Sequence, residues 1–299
     1  MTDRITATTS SRLMLGDVMD AQRALTRSER RISSGKDIER GSDDPARAVA
    51  AMDQRQALAR SAQHQRNALD ARGWLTAADS ALVSSVDDLT HARTLVVQAR
   101  NGNLDATGRA AIAVELRAVR ERLLQAANTR YLGRPVFAGT SDATLAYDDT
   151  GAYLGDTGTV FRPIGEVVSV EVNWNGPQVF GSTDAVPMDG DVFQVLEAVA
   201  TAVSSGDVAA MGTGLDRLEG ATERIQASLV EVGARTRLVE DVTAQSTQRD
   251  LDHRQVLAEL EDTDMAQAII DVKARQFSYE AALGVTGRIL GTSLLDHLR

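Results

Sequence analysis

Histidine, carboxylate, hydroxyl and two lysine side chains are the groups left for covalent or metal chemistry, because the chain contains no cysteine. Thiol catalysis, disulfides and thiolate metal sites are thereby removed. The four histidines, His64, His91, His253 and His297, are scattered along the chain and form no metal-ligand motif with carboxylates. Each reads as a solvated helix-surface residue. The densest acidic run, "EDTD" (Glu261 to Asp264), could attract a divalent ion. As the acidic start of a helix it already complements the helix dipole, and that reading is preferred. No phosphate-cradling loop, dinucleotide fingerprint or nucleophile elbow is present. Trp74 falls on an apolar stripe and reads as core. The expectation is a chain with no catalytic, cofactor-binding or metal site, and not an enzyme.

The chemistry left is that of association, and it concentrates at the two ends. Near the start, Leu15, Val18, Gln22, Leu25, Glu29 and Ile32 follow alternating steps of three and four, the spacing of a coiled-coil seam. Near the finish, Met265, Ile269, Val272, Gln276, Tyr279, Leu283, Thr286, Leu290 and Leu294 keep the same seam, with Phe277 and Ile289 beside it. A helix so sparsely apolar as the first is marginal alone, and an exposed ridge such as the second asks for partners. Arg23, Arg27, Arg30 and Arg31 cluster before the end of the first helix; Glu259, Glu261, Asp262 and Asp264 cluster before the last. Antiparallel pairing of the terminal helices is expected to bring these blocks together and set register.

Between the first helix and the next lies a joint. Gly35 suits a helix C′ position, where the left-handed region is cheap only for glycine. In "SDDP" (Ser42, Asp43, Asp44, Pro45), Asp44 is pushed out of the α region by the following proline and makes an N-cap, with Pro45 at the first helical position. One helix stops, an extended bridge follows, and another starts.

The elements that carry these ends are mostly helical. Of five prolines, four lie between 135 and 187, and seven of eleven aromatics lie between Tyr131 and Phe180. Inside that window the pattern changes to strand chemistry. Val168, Val170, Val172 and Trp174 alternate with polar residues, "NG" at Asn175–Gly176 predicts a tight turn toward "QVFG", and "AYDDTGAY" reads as a hairpin. Outside it, helical periodicity runs from Pro45 to about Ala99, interrupted only by Gly73, then over a second helix with Ile112, Leu116, Val119 and Leu123. Three more helices are predicted near 191–203, 207–255 and 264–295. The fold class expected is mainly α: a long antiparallel, coiled-coil-like helical rod formed by both chain halves, with a small β-rich domain inserted in the middle. Its parts are 1–44 with 261–299 (paired terminal helices and bridge), 45–137 with 191–260 (rod), and 138–190 (β domain). A formal charge of −10 argues against nucleic acid as a partner. No apolar run approaches a membrane span, so no membrane insertion is expected. The opening residues lack the continuous apolar stretch of a cleaved secretory signal.

Two segments carry a resemblance. "RISSGKDIERGSDDPARA" is similar to the N-terminal signature of the bacterial flagellin superfamily, and "DMAQAIIDVKARQFSYEAALGVTGRILGTSLLDHL" to its C-terminal counterpart. "NTRYLGRPVFAGTSD" and the β insert resemble those of the superfamily members that sit at the hook–filament junction. The resemblance implies a structural subunit of the flagellum whose two ends pair in the inner layer of a tubular polymer, with the β domain facing outward. The bridge from Gly35 to Asp44 becomes the spoke from inner layer to outer helices. It also implies partners: copies of itself in a ring or tube, a hook-side hook-associated protein, flagellin, a flagellar export chaperone and the type III export apparatus. The location implied is extracellular, reached without a cleaved signal peptide. The rival readings are a short flagellin that builds the filament itself and, with no motif behind it, a cytosolic helical binding module or enzyme.

Overall fold

The computed structural model describes residues 7–101, 104–181 and 190–297, and side chains within these from 12 to 288. Seven helices and two small antiparallel sheets follow in order: α1 (Ala7–Ser34), α2 (Pro45–Arg100), α3 (Ala106–Ala127), β1 (Arg130–Tyr131), β2 (Arg134–Pro135), β3 (Phe161–Pro163), β4 (Ser169–Glu171), α4 (Gly176–Phe180), α5 (Val192–Ser205), α6 (Val208–Glu261) and α7 (Met265–His297). The chain is mainly α-helical, with a β-rich insert between its two helical halves. It forms two compact units, residues 60–249 and residues 1–59 with 250–299; α2 and α6 contribute to both.

In the unit of 60–249, α2 buries Ala68, Leu75, Leu82, Leu89 and Val96 at every seventh residue, and Ala71, Ala78, Ser85, Ala92 and Ala99 between them. Helix α6 repeats the pattern with Met211, Leu218, Ile225, Val232 and Val239. A seven-residue repeat with large and small side chains alternating is the signature of coiled-coil layers. Ser61 meets Ser246 at 2.8 Å, and Arg72 and Arg93 reach Glu240 and Glu219, so the two helices run antiparallel in this unit. Helices α3 and α5 complete the core with Ile112, Leu116, Val119, Leu123 and with Phe193, Leu196, Val199, Val203.

Gly73 does not interrupt α2. A side chain there would overlap the ring of Tyr131, which packs on Trp74 with ring centroids 5.5 Å apart. The glycine is the notch through which the β1–β2 hairpin lies on the helix. Asn128, at the end of α3, holds the next segment by accepting from the amides of Ala146 and Tyr147 (2.8 and 2.9 Å) and donating to the Tyr147 carbonyl (2.9 Å). Tyr147, Phe137, Phe180 and Phe193 then close an aromatic cluster with centroids 5.1–5.9 Å apart. In the "AYDDTGAY" segment, Tyr147 and Tyr153 face each other as an antiparallel bridge around the Asp148 turn.

Two strand expectations are corrected. The alternation of Val170, Val172 and Trp174 toward the core holds, but only Ser169–Glu171 forms a ladder, against β3. Beyond it the backbone changes partner: the Val172 amide donates to Val160 and that of Trp174 to Val136, while the Asn173 side chain replaces ladder bonds to Val160 and Gly158. "NG" does not make a hairpin turn. Asn175 precedes the short helix α4, because Pro177 fixes a helical φ and has no amide to give a strand.

Candidate assembly site

The joint lies within the unit formed by residues 1–59 and 250–299. Helix α1 ends as Gly35 takes φ +70° and its amide reaches the Arg31 carbonyl at 3.0 Å. Asp43 gathers the amides of Glu39 and Arg40 (3.2 and 2.9 Å), Ser42 lies exposed before it, and Asp44 caps α2 by accepting from Ala46 and Arg47, both at 3.1 Å. Pro45 supplies the first helical residue. The bridge is held to the α6–α7 connection by strand-like pairing: the Asp37 amide donates to Glu261 (2.6 Å), the Thr263 amide to Gly35 (2.9 Å), and Lys36 faces Asp262 as an antiparallel bridge.

A buried carboxylate locks this crossing. The side chain of Glu261 is 4% exposed and pairs with Lys36 Nζ at 2.8 Å and Arg55 at 2.6 Å. Burial pushes its pKa up, but hydrogen bonds and charge from Lys36 and Arg55 outweigh that and hold it below the usual carboxylate range. Arg47 adds a second clasp, donating to Asp37 at 3.0 Å and to the Leu260 carbonyl at 2.6 Å, while Arg31 also pairs with Asp37. Glu261 and Arg31 stand out in the sequence, but Lys36, Asp37, Arg47 and Arg55 were missed there as their partners. The available signal was that Lys36 is one of only two lysines and sits at the joint.

The terminal helices pack on each other, the end of α1 beside the start of α7. The face of α1 turned inward carries Met14, Val18, Ala21, Leu25, Ser28 and Ile32; that of α7 carries Ala268, Val272, Tyr279, Ala282 and Thr286. Of the expected seam residues, Val18, Leu25, Ile32, Val272, Tyr279 and Thr286 lie on these faces. Leu15 (53% exposed), Met265 (44%), Ile269 (45%) and Leu283 (45%) do not, and Gln22, Glu29 and Gln276 are exposed. Within one chain the seam is shifted by a residue at places, where Ala21, Ser28, Ala268 and Ala282 occupy the inward faces. The outward set on α7 also includes Ile270, Phe277 and Val285. The side chains of Leu290 and Leu294 lie outside the described residues, as do those of Ile289 and His297.

Among the described residues, no ion pair joins the arginine block to the acidic block inside one chain. Glu261 is taken by Lys36 and Arg55, Asp264 caps α7 through the amides of Ala266 and Gln267, and Arg23 pairs with Asp20 on its own helix. Helical spacing explains it: steps of four and three place Arg23, Arg27 and Arg30 on the face of α1 opposite Val18, Leu25 and Ile32. They line instead a cleft of about 770 Å³ between α1 and the bridge. The other histidines have local partners: His64 meets the Pro163 carbonyl, His91 Glu115, and His253 Gln54. Among the described residues no three histidine or carboxylate groups converge as a metal site, and no helix is long and apolar enough to cross a membrane.

Paired chain ends, a capped joint and a helical body interrupted by a β insert define a flagellin-type structural protein. The family described as the bacterial flagellin N-terminal helical region matches residues 5–142. The chain is similar to flagellar hook-associated protein 3 of Escherichia coli, at 25% identity over 86% of this chain and 88% of that protein. Hook-associated protein 3 of Salmonella typhimurium is 26% identical over 89% and 90%. The fold is that of FlgL from Bacillus cereus, whose crystal structure superposes with a TM-score of 0.60 over 69% of this chain and 99% of that one.

Proposed function

We propose that this chain is a structural, non-catalytic subunit of the bacterial flagellum. It joins a hook-side hook-associated protein to the flagellin filament, in a ring or tube of like subunits outside the cell. The observation that carries the reading is α7. One of its faces is turned to α1, yet Met265, Ile269, Ile270, Phe277 and Leu283 stay largely exposed in the single chain. A helix apolar on several sides is built to be surrounded, and α1 alone covers only one side. The assembly residues are accordingly divided: Val18, Leu25, Ile32, Val272 and Tyr279 join the two ends of one chain, and Leu15, Met265, Ile269 and Leu283 meet neighbours, with Leu290 and Leu294 extending that ridge. Gly35, Ser42, Asp43, Asp44 and Pro45 form the spoke that lets the terminal pair occupy a different radius from the helical body and the outward-facing β domain. Ordering of the ends is completed as neighbours bury these faces, which offsets the conformational entropy lost. Contacts repeated around a closed ring add through multivalency. Before export through the flagellar type III apparatus, a chaperone shields the α7 ridge.

The test is a deletion strain. The hook should remain while flagellin escapes into the medium, and the protein should be found at few copies in washed filaments of the parent strain. Filament loss with no flagellin released would instead make the chain a short flagellin. Limited proteolysis of the free full-length chain should trim both ends to a resistant core near 45–260.

A further inference from the structure

An arginine-lined cleft lies between α1 and the bridge. Six arginines line it against four carboxylates, and three of those carboxylates are committed: Asp37 to Arg31 and Arg47, Asp43 to backbone amides, Asp44 to the α2 cap. Arg27 and Arg30 are exposed and make no ion pair among the described residues. In a protein of formal charge −10, this is a concentration of basic charge on the side of α1 turned away from α7. The same unit displays its opposite. Glu259 and Asp262 are exposed at the α6–α7 connection; among the described residues the Glu259 carboxylate accepts only from Gln255 on its own helix. The folded chain therefore carries a basic cleft and an acidic block that do not satisfy each other, because the acid at the centre of the block, Glu261, is buried under Lys36 and Arg55.

We infer that the acidic pair Glu259 and Asp262 of one copy docks against Arg27 and Arg30 in the cleft of the next. The contact is heterologous, with different patches on the two sides, and such contacts propagate into rings or helical arrays. The inference rests on the self-assembly proposed above. It adds the patches, their pairing and the polarity of the array. Charge complementarity of exposed groups fixes register more than affinity, so the apolar ridge of α7 supplies the hold and this contact selects the geometry.

The test uses full-length chains under conditions where the unaltered chain assembles, read by sedimentation and electron microscopy. R27E/R30E and E259R/D262R should each fold, by circular dichroism, and each should assemble at least tenfold less readily alone. Mixed, they should recover assembly, since each reversed cleft then meets a reversed block on the other chain. Pairing within one chain cannot be rescued by mixing, so failure of the mixture overturns the inference. Because the chain has no cysteine, R30C and D262C provide a second measurement: when the two variants are assembled together and exposed to a mild oxidant such as copper–phenanthroline, which takes up the two electrons, a disulfide dimer should form, and not with either variant alone. Assembly of the mixture without that dimer overturns the pairing and leaves the junction role intact. An unaltered chain that never assembles, even on isolated hook ends, removes the role and the inference together.

Discussion

Replacing Gly73 by alanine in the middle of α2 should destabilise the unit of 60–249, although alanine is the better helix former. Alone, the change in an exposed helix interior is worth roughly 1 kcal/mol in favour of alanine. Here the added Cβ overlaps the Tyr131 ring, so the ring must leave the notch. It then forfeits its contact with Trp74, worth about 0.5–1.5 kcal/mol, and the burial of one half-covered aromatic side chain, roughly 1–2 kcal/mol. The net cost expected is about 1–2 kcal/mol. In a Tyr131→Ala background the obstacle is gone, and Gly73→Ala should stabilise by about 1 kcal/mol. The assay is urea denaturation followed by tryptophan fluorescence, since both tryptophans, Trp74 and Trp174, belong to this unit. A double-mutant cycle gives a coupling of about 2–3 kcal/mol if the reasoning holds. A neutral or stabilising Gly73→Ala in the unaltered background, or the same effect in both, would refute it.

Asp191 caps α5 through the Phe193 amide at 2.8 Å and faces Tyr147, Arg120 and Arg224; burial pushes its pKa up to about 6. A raised carboxyl pKa means the folded state holds its proton longer than the unfolded one, so stability falls as pH rises from about 4 through 6. Asp191→Asn keeps the cap and removes the titration, and unfolding curves of the two proteins should diverge by up to ~3 kcal/mol between pH 4 and pH 7.5, in favour of the variant at the higher pH. At the joint, K36M/R55M leaves Glu261 buried without cations. The variant loses the stabilisation these cations give the carboxylate and also bears the cost of a buried charge; the second part should shrink between pH 7 and pH 5 as protonation relieves it. Amide exchange at Asp37 and Thr263 in assembled protein, compared with the parent at each pH, checks this; a deficit growing on acidification contradicts it. Phe277→Ser, on the outward face of α7, should leave the fold of the free chain unchanged by circular dichroism and lower assembly at least tenfold in a sedimentation assay.

Much of the architecture is written locally. The two long helices, the stop at Gly35 and the start at Asp44–Pro45 are consequences of periodicity and of what glycine and proline do to the backbone within a few residues, so the sequence alone determines them. It also determines which ends belong together, through their matching apolar spacing. Tertiary structure decides which stripe faces which neighbour. The inward faces of α1 and α7 use Ala21, Ser28, Ala268 and Ala282, which carry little hydrophobic signal, while Leu15, Ile269 and Leu283 face outward. It decides the fate of charge as well, since Glu261 pairs with Lys36 and Arg55 only once the bridge crosses the α6–α7 connection. Gly73 read as an interruption is a notch for a ring 58 residues away in sequence. Periodicity reports which faces of a helix are apolar, and only packing assigns each face to its own chain or to another.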